Sequence, residues 1–417
     1  MSADDEDSPT IIIDPAGDVV ITIADERYPL STASYRIKSE KLQNCSPYFK
    51  RLIGSSSFSE GANIQAQLVQ LHKKYQDAKD APTAELPSVN VDHIGQIGKV
   101  KDIRGLMTDF FRINHDLGIS GGHLSVPLTN LANLCIVCDR FDSLEILKRY
   151  VISNNIFAGT QRRKSLPARD TWNEERSRMR MLVAVLLNHA PWFEDTAQLI
   201  AKGSRVWAEP EDTADRALWW DLPMIEDELK CRRSAIISTI SSLLSHCVSL
   251  YTSGTLQCKL GYSNSLQCDV YQLGEIVKFF NRLGLMTLES TMAGTDGRDP
   301  FDGDIIKAFE LLRQVPAYQI DKDHAHCGLR NRLIPSIDDI QTRLNQLAIC
   351  GDCWSTDRAA LLWTSAKKPL IFSSQSSQDE TRRRIMRTSK LGHTCTKSHE
   401  RIRDLCLSVD KNWKIPR

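Results

Sequence analysis

The chain has no surplus of charge, no leader-like start and no long apolar run. Its 53 Lys+Arg against 52 Asp+Glu leave a formal net charge of +1. No global field therefore draws it to nucleic acid or to an acidic surface. The opening MSADDEDSPT is acidic and runs into no apolar stretch, unlike a secretory or transit peptide. The reading is an intracellular chain, cytoplasmic or nuclear. The apolar run over residues 181–187 falls far short of the about 20 residues that a membrane span needs; it predicts a buried helix and no membrane partner. A Gly-rich phosphate loop, G-x-S-x-G and H-E-x-x-H are all missing. Gly254, Gly261 and Gly274 read as turn or packing glycines. No catalytic residue is assigned, and the expectation is a non-enzyme.

What the sequence does hold is enough apolar material for a core, with 41% hydrophobic and 25% charged residues. At 417 residues, two domains plus tails are expected. Residues 1–10 read as a disordered acidic lead. Val19, Ile21 and Ile23 alternate with period two after a Pro-Ala-Gly turn, which predicts a strand, with residues 27–30 as a short partner. From Ser34 to Ile53 the apolar spacing turns helical, with Pro47 starting a second helix. Residues 62–86 are a polar insertion, 88–91 a candidate strand, and 101–114 an amphipathic helix. Two further helices follow Pro127 and Asp142. Residues 158–170 read as a linker. Beyond them the pattern is helical over 172–187, 191–202, 222–253, 270–283, 302–315 and 335–347. The last stretch is low in complexity at 373–378 and basic, with thirteen Lys+Arg against five Asp+Glu from Lys367 onward.

The first part resembles the BTB/POZ fold as fungi use it. Gly17-Asp18-Val19, the stretch Ile37 to Leu42, Ser46-Pro47-Tyr48-Phe49, Phe58-Ser59-Glu60-Gly61 and Leu131 to Asp142 occur in the family's order. The insertion is longer than the family's usual connection, and the usual His of the first helix is absent. The resemblance implies an α+β domain over 11–157, a small sheet with clustered helices, followed by a mainly α-helical domain over 158–360 and a poorly ordered basic tail over 361–417. Trp219 to Leu229, Cys231-Arg232-Arg233, Cys258, Cys268-Asp269 and Leu273-Gly274 resemble the helical region that follows this domain in many fungal proteins; no activity comes with that likeness. In the BTB/POZ family the first strand and helix pair two copies, and helices around the S-P-x-F segment dock cullin-type ligase scaffolds. The implied role is protein–protein interaction or adaptor work, with a homodimer or a cullin-type scaffold as partner. The interaction patch would be Ile11, Ile12, Ile13, Ile37, Leu42 and Phe49, set against the plainer reading that these residues fill the domain's own core. The rival function is a nuclear regulatory protein whose basic tail, with Arg382-Arg383-Arg384 and Arg387, contacts nucleic acid.

Twelve cysteines in a reducing compartment are either small buried apolar residues or metal ligands. Cys45, Cys135, Cys138, Cys231 and Cys247 read as the former. Cys258 and Cys268 bracket a loop, and His324, His326 and Cys327 lie together further on. Cys258, Cys268, His324 and Cys327 would supply a Cys₃His set for structural zinc, the only cofactor suggested. The alternative is two buried thiols and a polar loop. The CxxC at Cys350–Cys353 lacks the βαβ surroundings of a redox motif and reads as a loop turn with free thiols, or as extra ligands for the same cluster. His393, Cys395, His399 and Cys406 form a further set without a paired CxxC.

Overall fold

The computed structural model describes residues 10–27, 32–55, 58–122, 126–158, 172–208, 216–258, 260–261, 264–285, 301, 303–344, 346–372, 399–411 and 413. The chain is α+β and divides into two compact units: Met1–His189 with Asp212–Pro223, and Ala190–Glu211 with Met224–Arg417.

The first unit is built on four strands, β1 (Ile11–Ile12), β2 (Val19–Ile23), β3 (Ala33–Ile37) and β4 (Ser88–Val91), in the order β1-β3-β2-β4. β2 and β3 are antiparallel, while β1 runs parallel to β3 and β4 parallel to β2. β2 thus pairs with Ala33–Ile37, while residues 28–30 of the short partner expected over 27–30 lie outside the described residues. Ile37 belongs to a strand instead of the helix its spacing suggested, because Tyr35 and Ile37 point into the core while their backbone pairs with Ile21 and Val19. The helices are α1 (Ser39–Cys45), α2 (Pro47–Gly54), α3 (Ser59–Lys74), α4 (Ile103–Asn114), α5 (Leu128–Arg140), α6 (Leu144–Ser153) and α7 (Glu174–Leu187).

The S-P-x-F segment has a plain structural job. The Ser46 hydroxyl accepts from the Phe49 amide at 3.1 Å, capping α2, and donates to the Phe141 carbonyl. Pro47 occupies the first turn, where its missing N–H costs nothing. Phe49 then meets Phe141 at 5.1 Å and Phe110 at 6.4 Å between ring centres. Gly17 is required by contact: a β-carbon there would come within 2.8 Å of the Ile37 carbonyl oxygen. Buried Arg36 donates to the Gly17 carbonyl, Thr83 Oγ1 and the Lys79 carbonyl, so the insertion after α3 is tied to the sheet.

The first compact unit includes residues up to His189, and the linker expected over 158–170 lies, beyond Ala158, outside the described residues. The apolar face of α7, including Leu182 and Val183, packs on α5, and Arg178 donates to the Trp219 and Trp220 carbonyls, drawing residues 216–222 into the same unit.

The second unit comprises α8 (Asp195–Lys202), α9 (Arg205–Ala208), α10 (Glu226–Thr252), α11 (Ser265–Arg282), α12 (Ile305–Arg313), α13 (Arg330–Leu344), α14 (Gly351–Thr356), α15 (Arg358–Leu361) and α16 (His399–Leu407). A parallel pair, β5 (Ile371–Phe372) with β6 (Asp410–Lys411), completes it. α10 is long and apolar enough to cross a membrane by length and composition alone. Interspersed serines hide this in the sequence. Three of its charged residues, Glu228, Arg232 and Arg233, are buried and partnered within the unit. Glu228 pairs with Arg232 at 2.7 Å and accepts from the Trp363 and Thr364 amides; Arg232 donates on to the Leu347 and Leu361 carbonyls. Arg233 closes on the carbonyls of Ile200, Ala201 and Gly303.

The tail was expected to be poorly ordered and without a core of its own; its described residues include helix α16, whose Ile402, Leu405 and Cys406 are buried where α16 packs on α10, and Trp413 donates to Ser242 Oγ at 3.2 Å. The CxxC was expected in a loop, yet it opens α14, with Cys350 as the cap residue.

Candidate metal centre

The four residues chosen as zinc ligands converge in the second unit. Cys258 lies past the end of α10 and Cys268 in the first turns of α11. The Asp269 carboxylate accepts from the Gln257 amide at 2.7 Å and the Cys258 amide at 3.0 Å, bending the loop back onto the helix. His324 ends a short 3₁₀ turn, Lys322–His324, and Cys327 follows one turn later with its amide on the His324 carbonyl. The Tyr251 hydroxyl donates to the Cys327 carbonyl at 2.8 Å, anchoring this second loop to α10.

Cys258, Cys268 and Cys327 form one buried cluster, with Leu260 against it. The Cys327 and Cys258 sulfurs are 3.7 Å apart. Zinc–sulfur bonds of about 2.3 Å at tetrahedral angles place two sulfurs about 3.8 Å apart, so this pair already spans one edge of such a site. One ring nitrogen of His324 and the Cys258 and Cys268 sulfurs all lie within 4.8 Å of one another.

The His324 ring is hydrogen-bonded on one side only. Its Nδ1 is held by Asp321 at 2.7 Å, and Asp321 also accepts from the Asp323 and His324 amides. Its Nε2 is buried and has no hydrogen-bond partner. A carboxylate on one ring nitrogen and an unused, buried second nitrogen among thiols is the arrangement of a metal-binding histidine. The donor set suits Zn²⁺. Three donors, from Cys258, Cys268 and His324, lie within 4.8 Å of one another, and the Cys327 sulfur adjoins that of Cys258.

Local electrostatics differ among the thiols. Burial pushes Cys258 up, but the nearby Ser265 hydroxyl, the Leu260 amide and the two neighbouring cysteines outweigh it and hold it below its ordinary value. Burial raises Cys268, and the adjacent Cys327 and Cys258 add to the rise. The Asp321 hydrogen bond raises His324 against the opposing effect of burial.

The sequence reading missed Asp321 and Asp269. The signal for Asp321 was its place three residues before a histidine. His326, considered beside His324, is exposed and takes no part.

The residues of the expected interaction patch divide between core and surface. Ile37, Leu42 and Phe49 are fully buried and Ile13 nearly so, because the sheet and helices α1 and α2 close over them; Ile11 is half-buried. Ile12, on edge strand β1, is 59% exposed. Arg382, Arg383, Arg384, Arg387, His393 and Cys395 lie outside the described residues.

Comparison with protein-family models, with curated proteins and with solved structures finds no match to this chain.

Proposed function

We propose that the protein is a non-enzymatic adaptor that pairs with a second copy of itself through a BTB/POZ-like first unit, its helical second unit being braced by zinc. The order of elements in the first unit carries this reading. An antiparallel pair, β2–β3, leads into the α1–α2 helix pair. β4 then returns parallel beside β2, and α4, α5 and α6 follow. This is the order in which the BTB/POZ-like segments occur along the sequence.

The two-residue strand β1 lies at one end of the sheet, with Ile12 facing outward. A strand edge beside an exposed β-branched residue suits pairing with the same edge of another copy. Phe58, which opens the F-x-E-G segment and caps α3, is 51% exposed. It offers an apolar contact for a cullin-type scaffold next to α2.

Light scattering on the full chain after gel filtration tests the pairing. A dimer is expected, and Ile12→Asp should convert it to a monomer without loss of helical content. A wild-type protein that stays monomeric at high concentration would overturn self-pairing. Phe58→Ala should leave the dimer intact and weaken capture of a purified cullin N-terminal domain at least tenfold.

A further inference from the structure

The CxxC at the start of α14 and the histidine that opens α16 stand far apart in sequence, and neither suggests a site alone. The fold brings them together: donor atoms of Cys350, Cys353 and His399 all lie within 4.8 Å of one another, and all three residues are buried. We propose that they bind a second zinc ion, distinct from the one at Cys258, Cys268, His324 and Cys327.

The local backbone is shaped for this. Cys350 sits just before the helix and Cys353 inside its first turn, with the Trp354 amide on the Cys350 carbonyl. That spacing turns both sulfurs to one side, as in the paired ligands of zinc sites, which stand two to four residues apart. Gly351 between them presses on Ala190, where a β-carbon would come within 2.4 Å of the Ala190 Cα. The cysteine pair is thereby fixed against residues 190–194 before any metal arrives. On the other side, α16 is held on α10 by Ile402, Leu405 and Cys406, which sets His399 over the two thiols. Two soft sulfur donors and an imidazole select Zn²⁺ over hard cations. The thiols bind as thiolates, and their protons pass to solvent as the ion enters. Three donors leave one coordination position to a group outside these three. The ion would clamp the last helix of the chain to the CxxC turn. This inference is independent of the adaptor reading, since it concerns metal content and not partner binding.

Zinc content of the gel-filtered full chain, by mass spectrometry against protein concentration, tests it. Two equivalents are expected. Cys350→Ser with Cys353→Ser should leave one, and Cys258→Ser with Cys268→Ser should also leave one. If the first double variant keeps two equivalents, or if wild type holds one that the second double variant abolishes, the second site is wrong. If wild type holds one that only the first double variant abolishes, the second site stands and the Cys₃His site falls. Where a double variant loses its helical content, the His399 pair decides. His399→Cys, which keeps a soft donor, should retain two equivalents and His399→Ala one. Equal zinc in both would overturn the proposal. Hydrogen exchange supplies the structural readout: chelation should raise exchange in residues 399–407 of wild type and leave it unchanged in His399→Ala.

Discussion

His115 and His324 are equally buried, at 2% and 1% exposure, but only one has both nitrogens in use. In the first unit, His115 Nδ1 meets the Phe111 carbonyl at 2.8 Å, and Nε2 accepts from the Lys38 amide at 3.1 Å. That ring joins the start of α1 to the end of α4 and has no capacity left. In the second unit, Asp321 takes one nitrogen of His324, the other is buried without a hydrogen bond, and the ring lies against the Cys258 and Cys268 sulfurs. The cysteines divide the same way. Cys135 and Cys138 form a CxxC in the middle of α5, packed among apolar side chains, and burial pushes Cys138 up to about 12. Cys350 and Cys353 have the same spacing at a helix start and meet a histidine. Residue type and spacing do not decide between packing and ligation; the decision lies in whether the donor atoms are satisfied or converge.

Removing metal should break this contrast hardest. Because structural zinc contributes folding free energy directly, chelation or the Cys258→Ser, Cys268→Ser pair should lower the thermal midpoint by more than about 10 °C. Cys135→Ala with Cys138→Ala should leave zinc content unchanged; calorimetry with metal analysis on each variant checks both.

A smaller effect is expected from Asp321→Asn, which keeps the ligands and weakens the hold on the His324 ring. Zinc affinity should fall about 10–100-fold, read by competition with a chromophoric chelator. Unchanged affinity would mean that Asp321 does not orient the ligand.

Cys138→Ala alone should cost about 1–2 kcal/mol by urea denaturation, the size of a small core cavity, with no dependence on added zinc. Dependence on zinc would erase the distinction between the two CxxC pairs.

The gentlest test concerns pH. Burial outweighs the hydrogen bonds and keeps His115 below its ordinary value, so the fold favours the neutral ring. Below about pH 6.5 the unfolded chain then binds the extra proton, and stability falls as pH falls. His115→Gln should flatten that slope between about pH 7 and pH 5, measured by urea midpoints. An identical slope in the variant would show that the ring is not held neutral.

Much of this was legible in the sequence. The alternation at Val19, Ile21 and Ile23, the amphipathic face of α4 and the long helical runs all follow from periodicity. The nearness of Cys258, Cys268, His324 and Cys327 was approached the same way, because rare donor types clustered in two short windows; that they hold zinc is the proposal. Other features depend on distant contacts. Ile37 looked helical because its spacing to Leu42 fits a helix, and pairing with Val19 overrode it. The place of α7 in the first unit depends on α5, which no local pattern reveals. Cys350 and Cys353 could not be joined to His399 from spacing, since it is the packing of α16 on α10 that delivers the histidine.

The pairing of β5 with β6 has a mechanical consequence. The Val409 and Asp410 amides reach the Pro369 and Leu370 carbonyls, while α16 rests on α10. Both ends of segment 373–398 are therefore fastened to the same body. A single proteolytic cut inside that segment should leave a C-terminal peptide riding on the remainder without a covalent link, co-eluting with it until denaturant lets go.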